Sequence, residues 1–225
     1  MAATHRWHPA RLGDGRVELE PLTVEHVDAL EAAASDRSTF GLAPVPLGRD
    51  GARLYVEDAV AERDAGKSVP YAVRRARSGS IVGSIRFMSL EWWRWPRGPI
   101  HVEGEPRSSE RGDPPDVVEI GHAWLAPSAQ GTEVFTACCD LMMTHAFDRW
   151  NVHRVTLKTD ARNERSRAAI ARVGGVFEGV LRAHLPAADG IVRDTAMFSV
   201  VRAEWPAVRA RLAALASEDQ PGGAT

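Results

Sequence analysis

The sequence predicts a mixed α/β fold in a single domain. Three observations carry that reading. The elements follow the order βααβββαβαββα, with no internal repeat and no interdomain linker. A buried apolar strand at 117–125 runs almost at once into the most regular amphipathic helix of the chain. The 225 residues are 44% hydrophobic and 26% charged, enough for one large core and against wholesale disorder.

The elements can be justified in order. Residues 16–21 alternate apolar and charged side chains and read as a short strand. Thr23 can cap a helix to Ala34, with His26 at its third position. Residues 44–50 are turn-rich. A second helix follows from Ala52 to Ala65 and stops at Gly66. Residues 70–77 and 81–90 form a hairpin about Ser78 and Gly79. Residues 91–116 hold Trp92, Trp93, Trp95 and five prolines, too long for a hairpin loop; they read as a functional flap or partly disordered segment.

After the strand at 117–125, Val134, Cys138, Leu141, Met142, His145 and Ala146 recur at helical spacing within 132–149. Residues 153–158 form a strand, and 163–173 a helix closed by Gly174 and Gly175. Two strands, 176–185 and 191–201, meet near Asp189 and Gly190. A terminal helix spans 203–215. The polar residues beyond it read as a disordered tail.

Composition also excludes. A net charge of −2 gives no basic footprint for nucleic acid and no pull towards anionic lipid. No apolar run approaches a membrane span, and the N-terminus lacks a secretory apolar core. The two cysteines, Cys138 and Cys139, are neighbours, which suits neither a structural disulfide nor a zinc site. A cytoplasmic, metal-free protein is expected. Of the 28 basic residues only Lys67 and Lys158 are lysines, the mark of GC-rich coding.

Two junctions carry chemistry. Residues 125–134 join a buried strand to a helix, where free N–H groups and the helix dipole suit a phosphate. Gly131 is either the closest approach to a pyrophosphate or a plain turn. Asn163 opens a helix with Ser166 three residues on, so it is either an N-cap or a ligand contact at a strand's C-terminal end.

Together the ordered segments Gln130-Gly-Thr, His145-Ala-Phe-Asp, 154–170, Gly174, 177–182 and Arg193-Asp194 resemble the GCN5-related N-acetyltransferases (GNAT). Within them the RimJ/RimL-like branch, which acetylates ribosomal-protein N-termini, is nearest. The resemblance is strong from Val118 to Glu204 and weak before Val69; the domain expected is 15–215. It implies an acyl-CoA N-acyltransferase fold, with acetyl-CoA or another acyl-CoA as donor and a primary amine as acceptor, on a peptide or a small molecule. The family also admits a homodimer. The fourth strand would splay from the fifth and lay Ala123, Trp124 and Leu125 along the pantetheine. The N–H groups of Gln130, Gly131, Thr132, Glu133 and Val134 would meet the pyrophosphate, and Asn163 the pantetheine.

The same resemblance frames the catalytic groups. Glu119 and His122 are candidate bases on one strand; their spacing of three puts them on opposite faces of a regular strand, so one of them faces the acceptor. A sheet-face salt bridge and a core histidine are the bland alternatives. The family's general acid is a tyrosine after the asparagine helix. No tyrosine follows Tyr71, which leaves Ser166 or solvent. Trp92, Trp93 and Trp95 read as an aromatic wall for the acceptor, or as anchors of a loop.

One position departs from the family. The loop ordinarily has a small residue two places after its glycine; here it is Glu133. A carboxylate ~5 Å from a pyrophosphate costs roughly 3 kcal/mol per charge pair at an effective dielectric near 20. Glu133 must turn to solvent or pair with an arginine, or the CoA site is lost. The alternatives are an acyltransferase of natural-product assembly with a carrier-protein or long-chain acyl donor, which the tryptophan-rich insert also suggests, and a degenerate domain that binds a ligand or partner without turnover, which Phe135 and the missing tyrosine also suggest.

Overall fold

The computed structural model describes residues 11–94 and 113–218. One eight-stranded mixed sheet organises them. Its strands are β1 (Leu12–Gly13), β2 (Val17–Pro21), β3 (Val69–Arg75), β4 (Ile81–Glu91), β5 (Val117–Leu125), β6 (Arg154–Asp160), β7 (Val176–Pro186) and β8 (Val192–Val201). Their order across the sheet is β1-β2-β3-β4-β5-β6-β8-β7. Neighbours are antiparallel except β5 and β6, which need a crossover helix and have one.

The helices are α1 (Val27–Ala34), α2 (Gly48–Asp64), α3 (Glu133–Thr144), α4 (Glu164–Arg172) and α5 (Trp205–Glu218). α1 and α2 cover one sheet face over Leu22, Leu30, Val56, Ala72 and Trp124. α3 and α5 cover the other over Val118, Ile120, Cys138, Met142, Val155 and Leu212. The core is therefore two apolar layers with the sheet between them.

Most elements lie where the sequence places them. β1 was not expected; two residues are too few to show a period. Thr23 precedes a 3₁₀ turn at Val24–His26 rather than α1 itself, and its N–H donates to His26 Nδ1 at 3.1 Å. α2 begins at Gly48, before the expected start, and α5 runs three residues past 215.

The crossover helix does not stay α-helical to residue 149. His145–Arg149 form one π turn, with the Trp150 N–H donating to His145 O. Cys138 and Cys139 are free, fully packed thiols whose pKa values burial raises.

β4 and β5 approach closely enough to require Gly83. An added Cβ there would lie 2.0 Å from Trp124 O, a backbone atom with no room to yield. That contact fixes the depth of β5 where it carries Trp124 and Leu125.

The π turn sets a pH dependence of folding. His145 packs edge-on against Trp150 at 4.9 Å, and its Nε2 is buried without a partner. Burial, then the Arg149 charge, lowers its pKa from 6.5 to about 4. The unfolded chain accepts this proton more readily than the fold. Stability is therefore intact above pH 6.5 and falls as the pH drops through the window from 6.5 to about 4. Melting temperatures across that window should show a slope that His145→Phe flattens; an equal slope in the variant would overturn the assignment.

Candidate functional site

β5 and β6 are paired over three registers only, Val117 with Arg154, Val118 with Val155 and Glu119 with Thr156. Beyond Glu119 the strands part, and β5 bulges. Its register against β4 jumps from Gly121 opposite Arg86 to Trp124 opposite Ser84, so β5 carries an extra residue. His122 takes φ 46° within the bulge, a left-handed conformation that is costly for histidine. β5 thus leaves backbone N–H and C=O groups facing a gap instead of a strand.

That gap opens a cleft of about 790 Å³. Its walls are β5 from Glu119 to Leu125, β6 from Leu157 to Thr159, the first turns of α4, and the loop 38–44. Arg165 Nη2 donates to Thr39 O at 2.9 Å and ties that loop to α4.

The loop between β5 and α3 closes one end of the cleft through Gln130 and Gly131. Gly131 has φ +69°, and an added Cβ would meet nothing within 4 Å, so its requirement is conformational and the space above it is open. Not all five expected N–H donors are free. Gln130 spends its N–H on Pro127 O at 3.2 Å and its side-chain amide on Leu125 O at 2.7 Å. The Val134 N–H is capped by Thr132 Oγ1 at 3.4 Å. Among the described residues the N–H groups of Gly131 and Thr132 have no acceptor, whereas the Glu133 N–H meets its own carboxylate, so two of the five expected donors stand open.

Glu133 turns away from the cleft. Its carboxylate takes the Arg75 guanidinium, with Oε1 2.9 Å from Nη2 and 3.2 Å from Nε. Burial pushes the carboxyl pKa up, but the Arg75 hydrogen bonds and charge outweigh it and hold the pKa low. Of the outcomes left open for this residue, the arginine pair is the one present.

Asn163 caps α4, its Oδ1 accepting the Ser166 N–H at 3.0 Å. Both residues also line the cleft. Cap and ligand contact are therefore compatible: the Asn163 amide nitrogen and the Ser166 hydroxyl make no hydrogen bond among the described residues.

Glu119 and His122 both line the cleft, contrary to the spacing argument, because the bulge inserts a residue and resets the alternation. They are not equivalent. Glu119 is buried, with Oε2 2.8 Å from Lys158 Nζ and 2.8 Å from Ser89 Oγ, the sheet-face ion pair of the bland reading. His122 is exposed on the cleft floor. Crowding by the walls, then the Arg86 charge, lowers its pKa below 6.5. It is neutral at pH 7 and able to accept a proton.

The acetyltransferase (GNAT) domain model matches residues 16–176, well over half of the chain. The chain belongs to the GNAT acetyltransferase family. Its domain is that of an acyl-CoA-dependent N-acetyltransferase. A GCN5-related N-acetyltransferase from Brucella melitensis is 27% identical, with a TM-score of 0.74 over 92% of this chain and 86% of that one. The RimJ of Mycobacterium smegmatis, solved with CoA-disulfide, is 22% identical, with a TM-score of 0.68 over 95% and 98%. The Bacillus subtilis (strain 168) protein named "Putative ribosomal N-acetyltransferase YdaF" is 34% identical over 87 residues, 39% of this chain. That match spans 46% of the relative, so the chain covers less than half its length.

Within this GNAT domain the tryptophans lie elsewhere than expected. Trp92 Nε1 donates to Asp113 O at 2.9 Å, the Trp93 N–H donates to Asp116, and the Trp93 ring stacks on His153 at 5.1 Å. These contacts sit where β5 and β6 begin, away from the cleft, because β4 runs antiparallel to β5 and ends beside Val117. Trp92 and Trp93 anchor the segment; Trp95 lies outside the described residues. Trp124 packs edge-on against Phe40 and Tyr55, at 6.2 Å from each, and joins core to cleft.

The residues that sequence reasoning missed are Thr39, Lys158 and Arg193, which reach the cleft from three separate elements. Strand alternation put Lys158 on a face but could not say which neighbour that face held. Among the described residues no cluster of metal ligands occurs, and no helix is long and apolar enough to cross a membrane.

Arg75 carries the first prediction at this site. Arg75→Met should leave the Glu133 carboxylate uncompensated beside the loop and weaken CoA binding on the order of tenfold or more. Adding Glu133→Gln should restore it. Equal dissociation constants for wild type and Arg75→Met, by calorimetric titration, would overturn this account.

Proposed function

We propose that the chain transfers an acetyl group from acetyl-CoA to the N-terminal α-amine of a protein, with ribosomal proteins the favoured class. The observation that carries this reading is the parting of β5 from β6, which joins the open Gly131 and Thr132 N–H groups at one end of the cleft to a histidine on its floor that makes no side-chain hydrogen bond among the described residues. The RimJ of Mycobacterium smegmatis, solved with CoA-disulfide, and the ribosomal name of the Bacillus relative support donor and acceptor. Two free, buried thiols suit a reducing compartment and support a cytoplasmic setting.

In this mechanism the donor supplies the activated acyl carbon. The Gly131 and Thr132 N–H groups hold its pyrophosphate at the α3 N-terminus, and Asn163 donates its side-chain amide to the pantetheine. The backbone of Ala123, Trp124 and Leu125 runs along the thioester, where an N–H can steady the developing oxyanion. His122 takes a proton from the acceptor ammonium. The freed amine attacks the acyl carbon, and the nitrogen–carbon bond forms as the carbon–sulfur bond breaks. The attacking nitrogen sheds its second proton, which passes through Ser166 Oγ or water to the departing thiolate and leaves the relay neutral. Glu119, already bound to Lys158 and Ser89, shapes the floor rather than taking the proton.

Release of free thiol from acetyl-CoA with peptides bearing a free N-terminus tests the reading. We expect His122→Gln to lower kcat on the order of a hundredfold and to abolish the acid limb of the pH profile. In the wild type that limb lies below pH 6.5, because the histidine pKa is lowered. Asn163→Ala should raise the KM for acetyl-CoA. Absence of thiol release with any peptide amine would overturn the acceptor assignment; an unchanged pH profile in His122→Gln would overturn the base.

A further inference from the structure

The acceptor side of the cleft ends on a cation whose side chain makes no hydrogen bond or ion pair among the described residues. Lys158 pairs in register with Met197, and Asp160 with Thr195. Alternation along β8 then sets Arg193 on the same sheet face, opposite Leu185 of β7. Other cleft cations are engaged. Lys158 holds Glu119 at 2.8 Å, Arg162 holds Asp160 at 2.6 Å and Asp189 at 2.8 Å, and Arg165 donates to Thr39 O.

Arg193 is different. It lines the cleft, its Nε is buried without an acceptor, and among the described residues it makes no ion pair. The carboxylates near it in the sequence and the ladder are spoken for. Asp160 feels the Arg193 charge but gives its hydrogen bonds to the Arg162 guanidinium, and Asp194 Oδ1 accepts the Ala183 N–H at 2.8 Å. A half-buried guanidinium with an unmet donor is costly to maintain and fits a fork of two acceptor oxygens.

We propose that Arg193 receives a carboxylate of the acceptor, carried by an acidic side chain within the first few residues after the reacting amine. This rests on the protein-amine reading above and adds a sequence preference to it. The sheet face beside Arg193 supports a peptide, because Leu181 on β7 is 46% exposed there and offers apolar surface to an extended chain.

The test measures kcat/KM by thiol release with paired peptides that differ only in Glu against Gln at the second or third position. Wild type should favour the Glu peptide on the order of tenfold. Arg193→Gln should erase that preference while leaving the Gln peptide and the KM for acetyl-CoA nearly unchanged. Arg193→Glu should favour a Lys peptide instead. Turnover by the wild type without a charge preference overturns this inference alone. An equal loss on both peptides shows a structural role, and a rise confined to the acetyl-CoA KM shows a donor contact; either overturns it. Free glutamate or alanine turning over as well as the peptides would place the carboxylate on an amino acid and overturn the peptide form. No turnover with any peptide overturns the protein-amine reading itself.

Discussion

Parallel pairing between β5 and β6 stops after Glu119, and the site follows from that interruption. A continuous ladder would satisfy every backbone group of β5 internally and leave no gap. Two features keep the strands apart. The bulge at His122 spends an extra residue and turns β5 away. Gly83 lets β4 sit so close behind Trp124 that β5 is held from its other edge. The left-handed His122 is thus a strained residue supported by its neighbours, and the strain places its ring on the cleft floor.

Charge is distributed with the same economy. Buried ions persist where they are paired. Glu119 has Lys158 and Ser89, Asp160 has Arg162, and Glu20 on the opposite edge has Arg74 and His26. His122 is instead kept neutral by its surroundings. An ion-paired carboxylate and an uncharged imidazole therefore divide the floor into a structural half and a half free to exchange protons.

The fold was largely legible because its elements obey simple periods. The α3 stripe from Val134 to Ala146 and the apolar run of β5 fix the crossover, and ordered segments from Gln130 to Arg193 fix the family. What was not legible depends on broken periods or on distant chain. The bulge at His122 is one extra residue, invisible in a nine-residue strand, yet it reverses the argument about Glu119 and His122. The Arg75–Glu133 pair joins residues 58 apart in sequence, and Arg165 meets Thr39 across 126. The tryptophans were misplaced for a similar reason. Composition shows aromatic character, but only the β4 register shows which end of the sheet it occupies.

Glu133 decides between donors. Its carboxylate alone would oppose a pyrophosphate, and that opposition is the main ground for a carrier-protein donor or a degenerate domain, beside the tryptophan-rich insert for the first and Phe135 and the missing tyrosine for the second. Paired with Arg75 it presents a dipole, not a net charge, and a dipole's field decays faster with distance than a monopole's. In the proposed donor complex the α3 dipole and the Gly131 and Thr132 N–H groups would then act on the phosphate without opposition. Arg77 adds positive charge to the same edge, since it too lowers the Glu133 pKa. The residue that departs from the family pattern is therefore compensated by one on β3, a strand that the pattern does not include. Under the proposed function a free nucleotide-bearing donor fits such a loop better than a carrier protein, whose pantetheine arm ends in a single phosphodiester and lacks the second phosphate for the Gly131 and Thr132 N–H groups and the α3 dipole.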